Sequence, residues 1–252
     1  MKPRVAVVSL LSLLLFAALT SAAAELNPIG TVIALQGKAT AVSAAGDSRA
    51  LALKSPIYLN DKVTTLDDAK LQIEFEDDTV ISQGEKSEMV VDEYVYSPEQ
   101  KDANKGSIRM MKGMFRMITG KITKLNPERF NVKTKMATIG IRGCNLGFTI
   151  TEAGNNIYVI ELHGQESLTI ETKAEAKGLF DGLLGKKWGD AQSEKKLLNV
   201  LNSGMIISIT QGEGMNQRKM TPAEATALIH AVTPEGAEGT GQGEAGEKDQ
   251  GE

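Results

Sequence analysis

Side chains that could carry metal or nucleophilic chemistry are sparse in this chain. The sequence contains two histidines, His163 and His230, and one cysteine, Cys144. Because a zinc site needs three or four such ligands, usually at short spacing, these residues predict no metal site. No serine has the G-x-S-x-G flanks of a nucleophile elbow. We therefore expect no catalytic, cofactor-binding or metal-ligating residues and interpret the chain as a non-enzyme. An enzyme whose site is assembled from scattered residues is one alternative.

Two adjacent carboxylates occur at Asp77 and Asp78, in a stretch rich in acids. Glycosidases use two carboxylates that face each other across a cleft, whereas neighbours on a strand point to opposite faces. The pair is therefore interpreted as a turn, with weak calcium binding as the alternative.

Charge is segregated along the chain. Residues 67–93 hold ten acids and two bases, whereas residues 101–142 hold eleven bases and two acids. One interpretation is that neighbouring strands pair the two blocks across a sheet. The other is that the basic block attracts an anionic glycan. The formal net charge of −4 argues against nucleic acid as a partner.

Alternating apolar and polar residues predict short strands between residues 30 and 170. The alternation is clearest at 31–35, 71–75 and 158–162, and glycine or Asn/Asp turns separate such segments. This pattern is typical of an all-β fold. Over residues 25–215 we predict an elongated twisted β-sandwich or a β-solenoid-like domain, with a small helical insertion and a following C-terminal helix.

The helical insertion is predicted at residues 174–201, where leucines recur at spacings nearer those of a helix than of a strand. Trp188 lies within this segment. It is interpreted either as a cover for an open end of the β-fold or as part of a partner-binding patch.

A C-terminal helical segment is predicted over residues 216–234. Thr221 can cap this helix, Pro222 suits its first position, and Glu224 can complete a capping box. Residues 235–252 contain six acids, six glycines and no large apolar side chain, so we expect an acidic disordered tail.

The first 24 residues predict a secretory signal peptide. Lys2 and Arg4 precede an apolar run over residues 5–19, and residues 22–24 are alanines that suit a cleavage site. Because the run is shorter than the ~20 residues of a spanning helix, no stable membrane span is expected. The mature chain is predicted to be periplasmic or exported.

The stretch 130–148 closely resembles the signature of the FecR-type periplasmic domain family. That signature runs through a V-x-T-P-x-A approach to a V-R-G-T-x-F core. Residues 59–65 also resemble the family's L-x-x-G-D-x-I-x-T turn. The residues in register with the signature, or within one residue of it, are Phe130, Val132, Thr134, Ala137, Ile141, Arg142, Gly143 and Phe148.

Four residues depart from the family pattern. Asn60 and Asp78 stand where the family usually has glycine, Lys135 stands for proline, and Cys144 stands for threonine. Asn and Asp tolerate positive φ better than other non-glycine residues, so we predict that both turns keep their shape.

The resemblance implies a β-rich periplasmic module that recognises a protein or an envelope polymer. The anti-sigma segment and membrane helix of classical members have no counterpart here, so we expect the exported module alone. Its function is predicted to be that of a recognition, sensor or scaffold module for an envelope protein partner, with anionic glycan or peptidoglycan binding as the alternative.

The candidate structural or binding residues are Arg142, Gly143, Cys144 and Trp188. Arg142 is interpreted as a tie for a turn, with ligand binding as the alternative. Cys144 is expected to be buried, with an intermolecular disulfide or a reactive thiol as the alternative.

Overall fold

The computed structural model describes residues 27–162, 167–172, 197–211 and 214–237. Within these ranges the chain forms seventeen strands, two helices and two 3₁₀ turns. The strands are β1 (Gly30–Gln36), β2 (Ala39–Val42), β3 (Ser48–Ala50), β4 (Pro56–Ile57), β5 (Lys62–Thr65), β6 (Lys70–Phe75), β7 (Val80–Gln83), β8 (Glu88–Val95), β9 (Lys105–Ile118), β10 (Phe130–Lys133), β11 (Ala137–Ile141), β12 (Asn145–Ile150), β13 (Gly154–Glu161), β14 (Leu168–Thr172), β15 (Leu197–Val200), β16 (Met205–Thr210) and β17 (Gly214–Lys219). The helices are α1 (Lys121–Leu125) and α2 (Pro222–Val232), and the 3₁₀ turns cover Lys101–Ala103 and Pro127–Arg129.

The strands form two sheets that share β9. Sheet A has the order β4-β1-β6-β7-β9-β12-β13-β16-β17. Sheet B has the order β3-β2-β5-β8-β9-β10-β11-β14-β15. Among the described strands, only the β9–β10 pair is parallel. Among the described strands each sheet has two unpaired edges, which distinguishes this arrangement from a closed barrel.

One hydrophobic core lies between the sheets, because alternate residues of their strands point inward. Ile73 and Phe148 of sheet A and Val63 and Val132 of sheet B are all fully buried and belong to the same cluster. The predicted all-β, sandwich-like fold is therefore confirmed.

Strand β9 passes from one sheet to the other at Gly113. Its first part, Lys105 to Lys112, pairs with β8, and its second part, from Gly113 onward, pairs with β12. Gly113 has a φ of +105°, and a Cβ there would lie 1.9 Å from Ser87 Oγ. The Ser87 hydroxyl instead accepts a hydrogen bond from the Met114 N–H (3.0 Å). Glycine is required here because both the backbone angle and the close approach exclude a side chain.

After β9 the chain adds hairpins to alternate sheets. The hairpins β10–β11 and β14–β15 extend sheet B, and the hairpins β12–β13 and β16–β17 extend sheet A. Each new hairpin pairs with the earlier one in its own sheet, through β11–β14 and β13–β16. The sandwich therefore grows stepwise in one direction, which is its solenoid-like feature.

Helix α2 crosses the outer face of sheet A and approaches it closely at two glycines, where no side chain separates helix and sheet. A Cβ on Gly147 of β12 would lie 1.8 Å from Leu228 Cδ2, and a Cβ on Gly84, just after β7, would lie 3.1 Å from the Ala231 carbonyl oxygen. Lys70 Nζ at the start of β6 donates to the carbonyl of His230 (2.7 Å). Because β7 precedes β9 in sheet A and β12 follows it, α2 bridges the two halves of the sandwich.

The C-terminal helix begins as predicted, with Thr221 as its N-cap and a complete capping box to Glu224. Two boundaries needed correction. Residues 216–219, assigned to this helix, belong to β17, and Leu197–Val200, assigned to the helical insertion, form β15 beside β14. The rest of the insertion with Trp188, the signal segment 1–24 and most of the acidic tail lie outside the described residues.

Gly113→Ala should destabilise the fold by at least about 3 kcal/mol, since it combines a strained φ with overpacking against Ser87. The matched control is Gly140→Ala, because a Cβ there would have its nearest contact at 3.8 Å, on Thr169. The control should change the free energy of unfolding by no more than about 1 kcal/mol. Urea unfolding measures both, and equal midpoints for the two variants would contradict the role given to Gly113.

Candidate interaction surfaces

Residues 142–144 form the turn between β11 and β12. Gly143 adopts a φ of +80°, a conformation that favours glycine. Arg142 is exposed; its guanidinium forms an ion pair with Glu128 of the second 3₁₀ turn, and its backbone N–H donates to the Ser167 carbonyl (3.0 Å). An exposed ion pair of this kind contributes little stability. This position is consistent with a turn-tying role for Arg142, and it leaves the guanidinium accessible.

Cys144 is 5% exposed and lies against the end of β9. Its N–H donates to Thr119 Oγ1 (2.8 Å), and its carbonyl accepts from the Thr119 N–H (3.1 Å). These bonds join the 142–144 turn to the residue that follows β9. Burial favours the structural interpretation of the thiol, since reactive cysteines are usually accessible.

Asp77 is a buried hydrogen-bonding centre that the sequence interpretation missed. Its side chain is fully buried in the turn between β6 and β7. One carboxylate oxygen accepts from the Tyr94 hydroxyl (3.0 Å), and the other accepts from Thr79 Oγ1 (2.8 Å) and the Ile122 N–H (3.2 Å). The Asp77 carbonyl also accepts from the Lys121 N–H (2.7 Å). This residue therefore joins the β6–β7 turn to β8 and to the start of α1.

The surroundings of Asp77 are tightly constrained. Burial, followed by the nearby Asp77 charge, raises the pKa of Tyr94 well above its ordinary value. A Cβ on Gly120 would lie 2.0 Å from the Asp77 carbonyl oxygen. Since protein donors already engage both carboxylate oxygens, the geometry favours the turn interpretation of Asp77 over calcium binding. The described residues contain no cluster of three or more metal-ligating side chains.

A second buried carboxylate, Asp61, organises the β4–β5 turn. Arg49 of β3 binds it with both terminal nitrogens and lies 5.1 Å from the centre of the Tyr58 ring. The Tyr58 N–H also donates to Asp61 Oδ2 (2.7 Å). The preceding residue, Asn60, has a φ of +65°, and Asp78 has the same value. The prediction that Asn60 and Asp78 preserve left-handed turns is therefore confirmed.

The acidic and basic blocks of the sequence pair with each other. Strands β8 and β9 are antiparallel neighbours, so the acids of one face the bases of the other. The bridging ion pairs are Glu93 with Lys105, Asp92 with Arg109 (2.5 Å), Glu88 with Lys112 (3.0 Å) and Asp78 with Lys121 (2.7 Å). The cross-strand interpretation is therefore supported for three bases of the block, and Asp78 with Lys121 joins the two blocks outside the strands.

A shallow cavity of about 670 Å³ opens beside the β1–β2 turn and the ends of β5 and β8. Its charged lining consists largely of mutually paired side chains, Lys86 with Asp67 (3.0 Å) and Lys112 with Glu88 (3.0 Å). Such pairs neutralise each other, and the lining contains neither histidine nor cysteine. We therefore assign no chemistry to this cavity.

Strand β17 and helix α2 are joined by one carboxylate. Glu224 receives hydrogen bonds from both terminal nitrogens of Arg218 (2.6 and 3.1 Å) and from the Thr221 N–H (2.9 Å). The Arg218 hydrogen bonds, followed by those of Thr221, lower the pKa of Glu224 to about 2. The same side chain thus caps α2 and fixes this helix to the last strand of sheet A.

The comparison with family models matches residues 61–165 to the family described as FecR protein. This segment runs from β5 to β13 and includes the β9 crossing, the Asp77 centre and the 142–144 turn. No curated protein matches the chain.

Solved structures add distant similarities. Two crystal structures of a proposed anti-sigma factor from Parabacteroides distasonis ATCC 8503 each show 12% identity, cover 67% of this chain and have a TM-score of 0.44. The chain spans 64% and 63% of those two proteins. A structure described as a cell surface anchoring domain is 34% identical, covers 25% of this chain and 82% of its own, and has a TM-score of 0.24.

The family match confirms the FecR resemblance for residues 61–165. It indicates a regulatory or sensor class of domain. No helix among the described residues is long and apolar enough to cross a membrane.

Asp77→Asn should lower the free energy of unfolding by about 2–3 kcal/mol, because an amide group replaces an acceptor that faces several buried donors. The neighbouring Asp78→Asn is the matched control, since this side chain is exposed and asparagine tolerates the left-handed turn. The control should cost less than about 1 kcal/mol. Chemical unfolding measures the free energy of unfolding of both variants. An Asp77→Asn variant as stable as Asp78→Asn would contradict the structural role given to Asp77.

Glu224→Gln should destabilise the fold in a pH-dependent way. The folded-state pKa of Glu224, about 2, lies below the ordinary value of 4.5. Its contribution is therefore present above about pH 4.5 and is lost as the pH falls towards 2. The melting temperatures of wild type and variant should differ at pH 7 and converge at low pH. An exposed-site control, Glu99→Gln, should show no such convergence, and a pH-independent difference for Glu224→Gln would overturn the assignment.

Proposed function

We propose that this chain is an exported, non-catalytic recognition module that binds a protein partner in the bacterial envelope. The observation that carries the proposal is the match of residues 61–165 with FecR, a family of periplasmic domains in envelope-signalling proteins. The signal-like segment 1–24 supports export to that compartment.

The arrangement of buried charge supports binding rather than turnover. Catalytic carboxylates usually face a cleft, where they can reach a substrate. The fully buried carboxylates Asp61 and Asp77 instead bind Arg49, Tyr94 and backbone donors of the chain itself. Their hydrogen-bonding capacity is used to fix turns, which leaves the surfaces of the sheets and their edges for recognition.

A second candidate function is binding of an anionic glycan. Glycan binding is favoured by two bases whose charge is not compensated, since within the described ranges neither Arg129 nor Lys133 forms an ion pair. Both lie near Glu93, whose pKa is lowered mainly by Lys105 and further by these two bases. A surface of this kind would hold a polyanion by Coulomb attraction, which salt screens.

Affinity capture tests the proposal. The exported form of the chain, carrying a C-terminal tag, is incubated with detergent-solubilised envelope at low and at high salt. We expect one or more proteins to be retained at both salt concentrations. Retention of glycan alone, and its loss at high salt, would replace the proposal by the second candidate.

An Arg129→Ala/Lys133→Ala variant separates the two candidates further. It should abolish glycan retention if the basic pair holds a polyanion. Retention of a salt-resistant protein should be unchanged.

A further inference from the structure

The two sheets differ in how much open edge they present. Sheet A ends in β4 on one side, with two residues, and in β17 on the other, with six. Sheet B ends in β3, with three residues, and in β15, with four. Among the described strands, β17 is therefore the edge that offers the longest ladder of unpaired backbone groups.

Strand β17 is accessible along nearly its whole length. All of its residues except Met215 are exposed, and its only strand partner among the described residues is β16. The sequence GMNQRK contains no proline that would remove a donor from the edge. Alternate residues of such a strand direct both their N–H and their C=O groups away from the sheet.

The edge is also held in place. Arg218 is fixed by Glu224, and the Met220 N–H donates to the Gly204 carbonyl (2.7 Å) at the end of the strand. A strand restrained at its end loses little conformational entropy when a further strand is added. The open edge is therefore preorganised for pairing.

We propose that β17 receives an extended, acidic segment of the partner protein as an additional strand of sheet A. The proposal rests on the proposed function and names its binding site. The acidic preference follows from Lys219, which is exposed and has no ion-pair partner among the described residues. Arg218, the other base of the strand, is already neutralised by Glu224.

A second copy of this chain fits the edge less well. Antiparallel self-pairing of six residues would cover a strip about 20 Å long, on the order of 200–300 Å² per copy. Stable interfaces bury roughly 800 Å² per partner. Such pairing would also place Lys219 opposite Gly214 and leave its charge uncompensated. An extended segment of a partner can place an acidic residue opposite Lys219 and compensate its charge, and the rest of that partner can add contacts beyond the edge strand.

A peptide titration of the isotope-labelled exported chain, followed by NMR, tests this site directly. The probe is a hexapeptide that alternates valine with glutamate, and the comparison peptide carries lysine in place of glutamate. We expect the acidic peptide to shift amide resonances of β16 and β17, with at least tenfold weaker binding to Lys219→Glu. Binding to the control Lys54→Glu, an exposed loop lysine near the opposite edge of sheet A, should be unchanged.

Proline variants test the backbone ladder. Of the adjacent residues Asn216 and Gln217, one directs its N–H towards β16 and the other directs it outward. Only the outward residue should tolerate proline without loss of thermal stability. That stable variant should lose the peptide-induced shifts and the protein captured from the envelope.

The outcomes separate this site from the function as a whole. Peptide shifts that are absent, lie elsewhere or are equal for both peptides would overturn the β17 site. Undiminished protein capture by the stable proline variant would also overturn it while leaving the proposed function intact. If the wild-type chain retains no protein, the proposed function fails, and the titration still decides whether β17 binds an acidic strand.

Discussion

The architecture depends on one strand that contributes hydrogen bonds to both sheets. Strand β9 pairs with β8 and β10 in sheet B and then with β7 and β12 in sheet A. Among the described strands it is therefore the one that connects, in each sheet, the strands before it to those after it. Its change of sheet is possible because Gly113 adopts a φ closed to most side chains and lets Ser87 approach the backbone. The two halves of the sandwich are joined at this crossing.

Two features reinforce that crossing, a buried carboxylate in the interior and a helix docked on the surface of sheet A. Asp77 anchors the β6–β7 turn, β8 and α1 near the end of β9, so its burial is stabilised by hydrogen bonds from three elements. Helix α2 lies across sheet A and contacts Gly84 on one side of β9 and Gly147 on the other. Buried charge and a docked helix thus hold the halves together, and the binding surface proposed on β17 lies at the far edge of the same sheet.

Local signals in the sequence predicted local structure well. Asn60 and Asp78 adopt the left-handed turns expected of residues that replace glycine, and Thr221 with Glu224 forms the expected capping box. Both features depend only on a few adjacent residues. Leu197–Val200 was misassigned because a short apolar run does not distinguish helix from strand, and pairing with β14 decides the outcome. Asp77 was recognised only as a turn residue, since its partners Tyr94 and Ile122 are 17 and 45 residues away.

Native-state hydrogen exchange of the exported chain would test the central claim most directly. The account predicts that amides on both sides of Gly113 in β9 exchange together, at the free energy of global unfolding, and that β17 exchanges faster than the interior strands of sheet A. Separate exchange of Lys105 to Lys112 and of the part after Gly113 would show that the halves open independently. That result, or full protection of β17 in the isolated chain, would contradict a single sandwich joined at β9 with an open edge.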